Sequence, residues 1–238
     1  MVLIMKKVIC FQLALAFFII PIVSQAGIND TYDFSWLDPD KEVYVLQNRK
    51  FRKVNRAYMY IGGGKTTSGA FVDSNPIQLR GGFFLKEDLG FEVIYSKNLT
   101  GEESDAAKAV RNIGGGAGSR PFRRIVDNYY GGYLMWSPFY AKINTFNKIL
   151  YFDWLLGVGA GKLVENNNKE EVAQKNNPQI QTVDHTAIMW ETGFKLYITK
   201  MFDIRTDVTA LHYKAEMVSG TETWYSNYDL TVSLGINF

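Results

Sequence analysis

Nine charged side chains sit at polar positions inside otherwise apolar, alternating stretches: Arg80, Glu92, Asp153, Glu191, Lys195, Asp203, Arg205, Asp207 and Asp229. Charges set into apolar surroundings suit a conduction path or proton relay, or a structural ionic network. Buried charges are costly to hold alone, so a mixed-sign set in a narrow interior should pair. The structural network is the favoured reading, and the conduction path is the alternative. The histidines, His185 and His212, could serve a Ser-His-carboxylate arrangement for hydrolysis. No such spacing is visible in the chain. Two histidines without a clustered motif also make a weak metal site. The run Gly62-Gly63-Gly64-Lys65-Thr66 looks like a phosphate-binding loop, but Met59 stands where that motif needs glycine and no helix pattern follows. We therefore assign no catalytic, cofactor-binding or metal-binding residue and expect no cofactor.

The stretches that position these charges have a period of two. Tyr228, Leu230, Val232, Leu234, Ile236 and Phe238 alternate with Asp229, Thr231, Ser233, Gly235 and Asn237. One face of such a strand is apolar and the other small and polar, which suits a wall between lipid and a polar lumen. This stretch resembles the C-terminal assembly signal of bacterial outer-membrane β-barrels, which end on Phe with aromatic or aliphatic residues at alternate positions before it.

Seven more strands read from the same pattern: Ala57 to Gly63, Ile77 to Lys86, Leu89 to Ser96, Val126 to Trp136, Lys148 to Lys162, Thr186 to Thr199 and Phe202 to Tyr213. The facing of the fourth is ambiguous, and Ser137-Pro138 is expected to end it. Connections are long after the first, third, fifth and seventh strands and mostly shorter after the second, fourth and sixth. That parity predicts an all-β fold. It is a single antiparallel up-and-down transmembrane barrel of about eight strands, with long extracellular loops, short periplasmic turns and both ends in the periplasm. Ser104 to Ile113, within the third connection, has helical composition.

For the pair Thr186–Thr199 and Phe202–Tyr213, outward residues are even-numbered on both strands. Directly opposed residues share a face, so paired numbers sum to an even value and the turn has an odd number of unpaired residues. We expect Lys195 opposite Asp207, with Arg205 reaching Asp229 or Asp203, because like charges opposed in a lumen are unfavourable.

Composition agrees with a barrel. Aromatics are 15% of the 238 residues, yet mean hydropathy is only -0.12. Alternation dilutes the apolar signal of each strand in this way. Residues 1–26 read as a signal peptide, with Lys6 and Lys7, an apolar run Val8 to Ile20, and Ser24-Gln25-Ala26 before the cleavage point. Removing Lys6 and Lys7 from the 26 basic residues leaves 24, equal to the 24 acidic ones, so no nucleic-acid partner is implied. The single cysteine, Cys10, lies in that leader, so the mature chain has no disulfide. Residues 27–55 read as a periplasmic N-terminal extension and 56–238 as the barrel. The basic cluster at 49–56 reads first as a solvated connector, and second as a contact with anionic headgroups or another envelope component.

A further resemblance covers most of the mature chain. Asp38-Pro39-Asp40-Lys41-Glu42-Val43-Tyr44-Val45-Leu46-Gln47-Asn48-Arg49, the Ser137-Pro138-Phe139-Tyr140 turn, Tyr151-Phe152-Asp153 and Gly157-Val158-Gly159-Ala160-Gly161 resemble a family of outer-membrane β-barrel domain proteins from gliding and predatory bacteria. These are small barrels of the OmpA, OmpX and OmpW kind. The resemblance implies an envelope role, in some members within complexes for surface motility or adhesion, and brings no catalytic residues. The expectation is a non-enzymatic protein of the cell outer membrane with a structural or surface-interaction role. The alternatives are a narrow channel for small or hydrophobic solutes and a lipid A-modifying enzyme. Expected partners are outer-membrane lipids, the barrel-assembly machinery and other envelope proteins through loops 97–125 and 164–184.

Overall fold

The computed structural model describes residues 49–67, 72–103, 105, 108–109, 122–145, 148–173 and 179–238. The expected leader and residues 27–48 of the extension lie outside them, as does most of the loop before Phe122. Within that loop Asp105, Lys108 and Ala109 have helical backbone.

Eight strands are described: β1 (Arg56–Thr66), β2 (Val72–Phe84), β3 (Leu89–Glu103), β4 (Arg124–Thr145), β5 (Lys148–Asn167), β6 (Gln181–Tyr197), β7 (Phe202–Glu216) and β8 (Glu222–Asn237). Each pairs antiparallel with its neighbour in sequence, and β1 closes on β8, so the sheet has no free edge. One helical turn, Lys169–Val172, lies between β5 and β6. Closure satisfies the backbone hydrogen bonds around the ring, which is what a sheet needs to cross lipid. One end carries the turns β2–β3, β4–β5 and β6–β7 together with the start of β1 and the end of β8. We call it the turn end, and the opposite end the loop end.

Alternation sorts the side chains into two sets. Outward residues form an apolar wall that includes Ile61, Leu79, Val93, Leu134, Val158, Ile188, Leu230, Val232 and Leu234, all exposed. It is the continuity of this exposed apolar face around the ring, not any one residue, that marks a surface made to meet lipid. Toward the turn end this wall becomes aromatic. Phe139, Trp154 and Phe194 stand in one cross-strand row and stack at 5.8 and 6.2 Å between ring centres. Phe83 and Phe91 continue the belt at 6.0 Å. An apolar band bordered by aromatic rings is the pattern of a strand wall that meets lipid and its headgroups. The inward set is buried and polar, with Tyr58, Tyr60, Tyr129, Tyr133, Met135 and Leu155 packed among the charges.

The structure departs from the sequence reading in two places, the first of them β4. The strand does not end at Ser137-Pro138 but continues to Thr145. The ladder shifts between Trp136 and Phe139, which oppose Leu156 and Trp154, so three steps on β4 meet two on β5. This bulge accommodates Pro138, which has no N–H for the ladder. It also inverts parity: Trp136 faces outward before it and Phe139 after it. A second shift at Val126/Asn128 does the same near the loop end, which is why the facing of this strand is unreadable from simple alternation.

The second departure concerns residues 49–55. Past Leu89, where β3 starts, the β4–β5 hairpin continues beyond the turn end, and residues 49–55 pack there. Phe51 is buried, stacked on Tyr197 at 4.6 Å with rings parallel and edge-on to Tyr151 at 5.2 Å. Lys53 is only 3% exposed. The solvated-connector reading therefore fails for Phe51 and Lys53: an aromatic ring with an open hairpin beside it gains more by burial than by staying in water.

Candidate functional site

All nine charged residues singled out from the sequence face the interior and are buried. At mid-height four of them close a ring. Arg80 donates from one terminal nitrogen to Glu92 Oε1 at 2.8 Å and to Glu191 Oε2 at 2.5 Å. Arg205 donates to the other oxygen of each, Glu92 Oε2 at 2.5 Å and Glu191 Oε1 at 2.7 Å. The two carboxylates thus bridge the two guanidiniums, with every carboxylate oxygen used. Arg205 Nε donates to Asp207 at 2.6 Å, and Arg80 donates further to Thr209 and Gln78. Arginine suits this role because its planar fork reaches several acceptors and keeps its charge when buried. The strands supplying the ring are β2, β3, β6 and β7, so it is braced from opposite sides of the lumen.

Glycine makes the space. A Cβ on Gly193 would lie 2.0 Å from Asp207 Oδ1, and one on Gly157 would lie 2.7 Å from Glu191 Cγ. Any larger residue at either position displaces a member of the network.

Toward the loop end, Asp229 makes no ion pair among the described residues. It accepts from Tyr129 Oη at 2.7 Å, Asn227 Nδ2 at 3.1 Å and Gln78 Nε2 at 3.3 Å. The expectation that every lumen charge pairs with its opposite fails here, because neutral donors satisfy the carboxylate instead. Above it Arg124 donates to both oxygens of Glu165 at 2.9 and 2.8 Å and lies over the Tyr225 ring at 4.1 Å. Toward the turn end Lys195 bonds Asp203 at 3.1 Å and Asn237 at 2.7 Å. Below that Asp153 accepts from Lys53 at 2.6 Å and Tyr197 at 2.6 Å, and Lys53 also reaches Ser137 at 2.5 Å. Burial pulls Lys53 below the usual lysine pKa, against the opposing pull of Asp153.

The register differs from expectation. Lys195 pairs with Arg205, and Gly193 pairs with Asp207. The parity argument holds, since Tyr197 opposite Asp203 leaves five residues between them, an odd number. The error was to equate opposed backbones with opposed charges. Lys195 reaches toward the turn end and Arg205 toward the loop end, so both find carboxylates and the like charges diverge. Arg205 accordingly touches neither Asp229 nor Asp203 among its ion pairs.

Sequence reasoning missed Lys53, Arg124 and Glu165. The nine residues it found hold three basic against six acidic groups, and that surplus was a readable sign that cations had to come from elsewhere. Lys53 supplies one from outside the strands.

The histidines separate. His185 faces inward, 3.5 Å from Glu165, with its ring beside Tyr213. His212 faces outward, opposite Ser226 across the ladder, with Nδ1 2.7 Å from Ser226 Oγ. Trp190 Nε1 donates to His212 Nε2 at 2.9 Å. An accepting Nε2 fixes the proton of a neutral ring on Nδ1, which then donates to Ser226. A general base would have to accept from serine, so this pair is arranged the wrong way for nucleophilic catalysis. Among the described residues no group of three or more His, Cys, Asp or Glu could hold a metal ion.

The closed ladder, apolar belt and packed polar lumen define an eight-stranded barrel of the transmembrane type. No family model and no curated protein matches the chain. Solved structures do. The N-terminal β-barrel domain of OprF from Pseudomonas aeruginosa is similar at 12% identity and a TM-score of 0.48, over 78% of this chain and 98% of that one. Neisserial surface protein A is similar at 13% identity and 0.45, over 77% and 96%. Ail, the attachment invasion locus protein of Yersinia pestis, solved with the heparin analogue sucrose octasulfate, is similar at 11% identity and 0.39, over 78% and 99%.

Proposed function

We propose that this chain is a non-enzymatic protein of the bacterial outer membrane whose barrel is a closed anchor for surface loops. The turn end faces the periplasm and the loop end the exterior. One observation carries the reading: the Arg80–Glu92–Arg205–Glu191 ring spans the lumen with each member at most 2% exposed. A path for solutes would need water beside those groups. The apolar belt supports the membrane setting. Segments 97–125 and 164–184 are the proposed contacts with other envelope proteins, and Tyr228 to Phe238 the segment read by the barrel-assembly machinery. The resemblance of the Asp38–Arg49 and Ser137–Tyr140 stretches extends this to the barrels of gliding and predatory bacteria, where surface motility and adhesion are the corresponding roles.

Expression in a Gram-negative host followed by membrane fractionation and planar-bilayer recording tests it. The expected protein co-fractionates with outer membranes, migrates differently before and after boiling, and gives no sustained conductance steps. Regular open-channel steps would favour the narrow channel instead. A mass change in lipid A on expression would favour the enzyme.

A further inference from the structure

A cavity of about 180 Å³ opens inside the barrel mouth at the turn end, lined by the buried Phe51, Tyr58, Phe84 and Tyr197 and by Arg56 and Asn237 at the seam where β1 meets β8. Arg49, Lys50, Arg52, Arg56 and Lys200 bring cations to its wall, Asn237 brings an amide, and among the described residues no carboxylate lines it. Lys53, also at the wall, is already paired with Asp153, and Arg49 lies 3.5 Å from Glu87. Arg52, Arg56 and Lys200 are exposed and make no ion pair among the described residues. Arg52, Arg56 and Lys200 repel one another, and a bound anion would relieve that repulsion.

The outer side of the same seam is apolar. Phe238 bonds through its N–H to Ala57, and Phe202 is opposite Ile236. Met201, Phe202 and Phe238 are 54%, 49% and 63% exposed. The cationic mouth inside the rim and the apolar wall outside it therefore lie at one height, since Lys200 and Asn237 line the pocket while their neighbours Met201 and Phe238 are exposed on the outer side. A free anion would use only the first. A molecule with a phosphate diester and acyl chains uses both, because Arg and Lys stems can follow the apolar wall while their heads reach the phosphate.

We propose that this pocket binds the phosphate of an anionic glycerophospholipid in the leaflet at the turn end, with the acyl chains against Phe202 and Phe238. The inference rests on the membrane reading above. An anionic headgroup is preferred to a zwitterionic one because the described lining is rich in cations and holds no acid to receive an ammonium.

Native mass spectrometry of the folded full chain, released from neutral detergent, tests it with dioleoylphosphatidylglycerol, dioleoylphosphatidylcholine or inorganic phosphate as probe. Saturable retention of phosphatidylglycerol is expected, with phosphatidylcholine retained weakly. Surface cations each contribute several-fold to anionic-lipid binding, so R52Q/R56Q/K200Q should weaken retention on the order of 100-fold. The charge-keeping R52K/R56K/K200R should retain most of it. If the triple glutamine variant does not fold, each single substitution should still weaken retention several-fold. Equal retention of the two lipids, wild-type retention by the glutamine variants, or retention of inorganic phosphate as strong as that of phosphatidylglycerol would each overturn the proposal. Failure of the wild-type chain to fold in detergent would instead contradict the membrane reading, and the pocket with it.

Discussion

Arg205 touches three carboxylates, more than any other side chain in the lumen. Removing it leaves Glu92, Glu191 and Asp207 short of positive charge in a space that water does not reach. Arg205→Met should lower unfolding stability in lipid vesicles by about 3–5 kcal/mol, the cost of breaking a buried ionic network. Adding Glu92→Gln should recover part of the loss, since the two residues share an ion pair. Gly193→Ala tests the same network by size: its methyl meets Asp207 Oδ1, with an expected loss of about 1–3 kcal/mol in the same assay. At this scale the sequence was informative about which residues face inward and uninformative about who bonds whom. Facing follows from a period of two, which every strand obeys away from the bulges. Partnership depends on the direction a long side chain takes, and Lys195 and Arg205 take opposite ones.

Strand register gives the element-scale test. Lys195 and Asp203 bond each other, whereas Lys195 and Asp207 share no partner. A double-mutant cycle with Lys195→Met and Asp203→Asn should show a coupling of about 0.5–3 kcal/mol, and one with Asp207→Asn near-additivity. The reverse result would restore the opposed Lys195–Asp207 pair. The segment before β1 makes a second element-scale prediction. Lys53→Met leaves Asp153 buried without a cation and should cost about 3–5 kcal/mol. If residues 49–55 were a loose connector, that substitution would be close to neutral, as surface changes usually are. Strand number, order and hairpin parity were legible because alternation and connection length are properties of adjacent residues. The bulge at Pro138 and the docking of Phe51 on Tyr197 were not, because both depend on contacts made across more than one strand.

For the whole molecule, the sequence carried the barrel class through a coincidence of signals: alternation, aromatic content, low mean hydropathy and connections that differ by parity. It did not show whether the lumen is open, because that is decided by side chains meeting across the barrel. The single cysteine, Cys10, lies outside the barrel strands, so a Cys10→Ser background allows single labels to be placed at will. The most direct test is therefore spin-label accessibility along β8 in lipid bilayers, one cysteine at a time from Tyr228 to Phe238. The account predicts that even-numbered positions are reached by oxygen from the lipid, and that odd-numbered ones through Gly235 are shielded from both oxygen and a water-soluble nickel complex. Nickel access at the even positions would mean that the wall faces water, and nickel access at Asp229, Thr231 and Ser233 would mean an open lumen; either result would contradict a closed barrel in lipid.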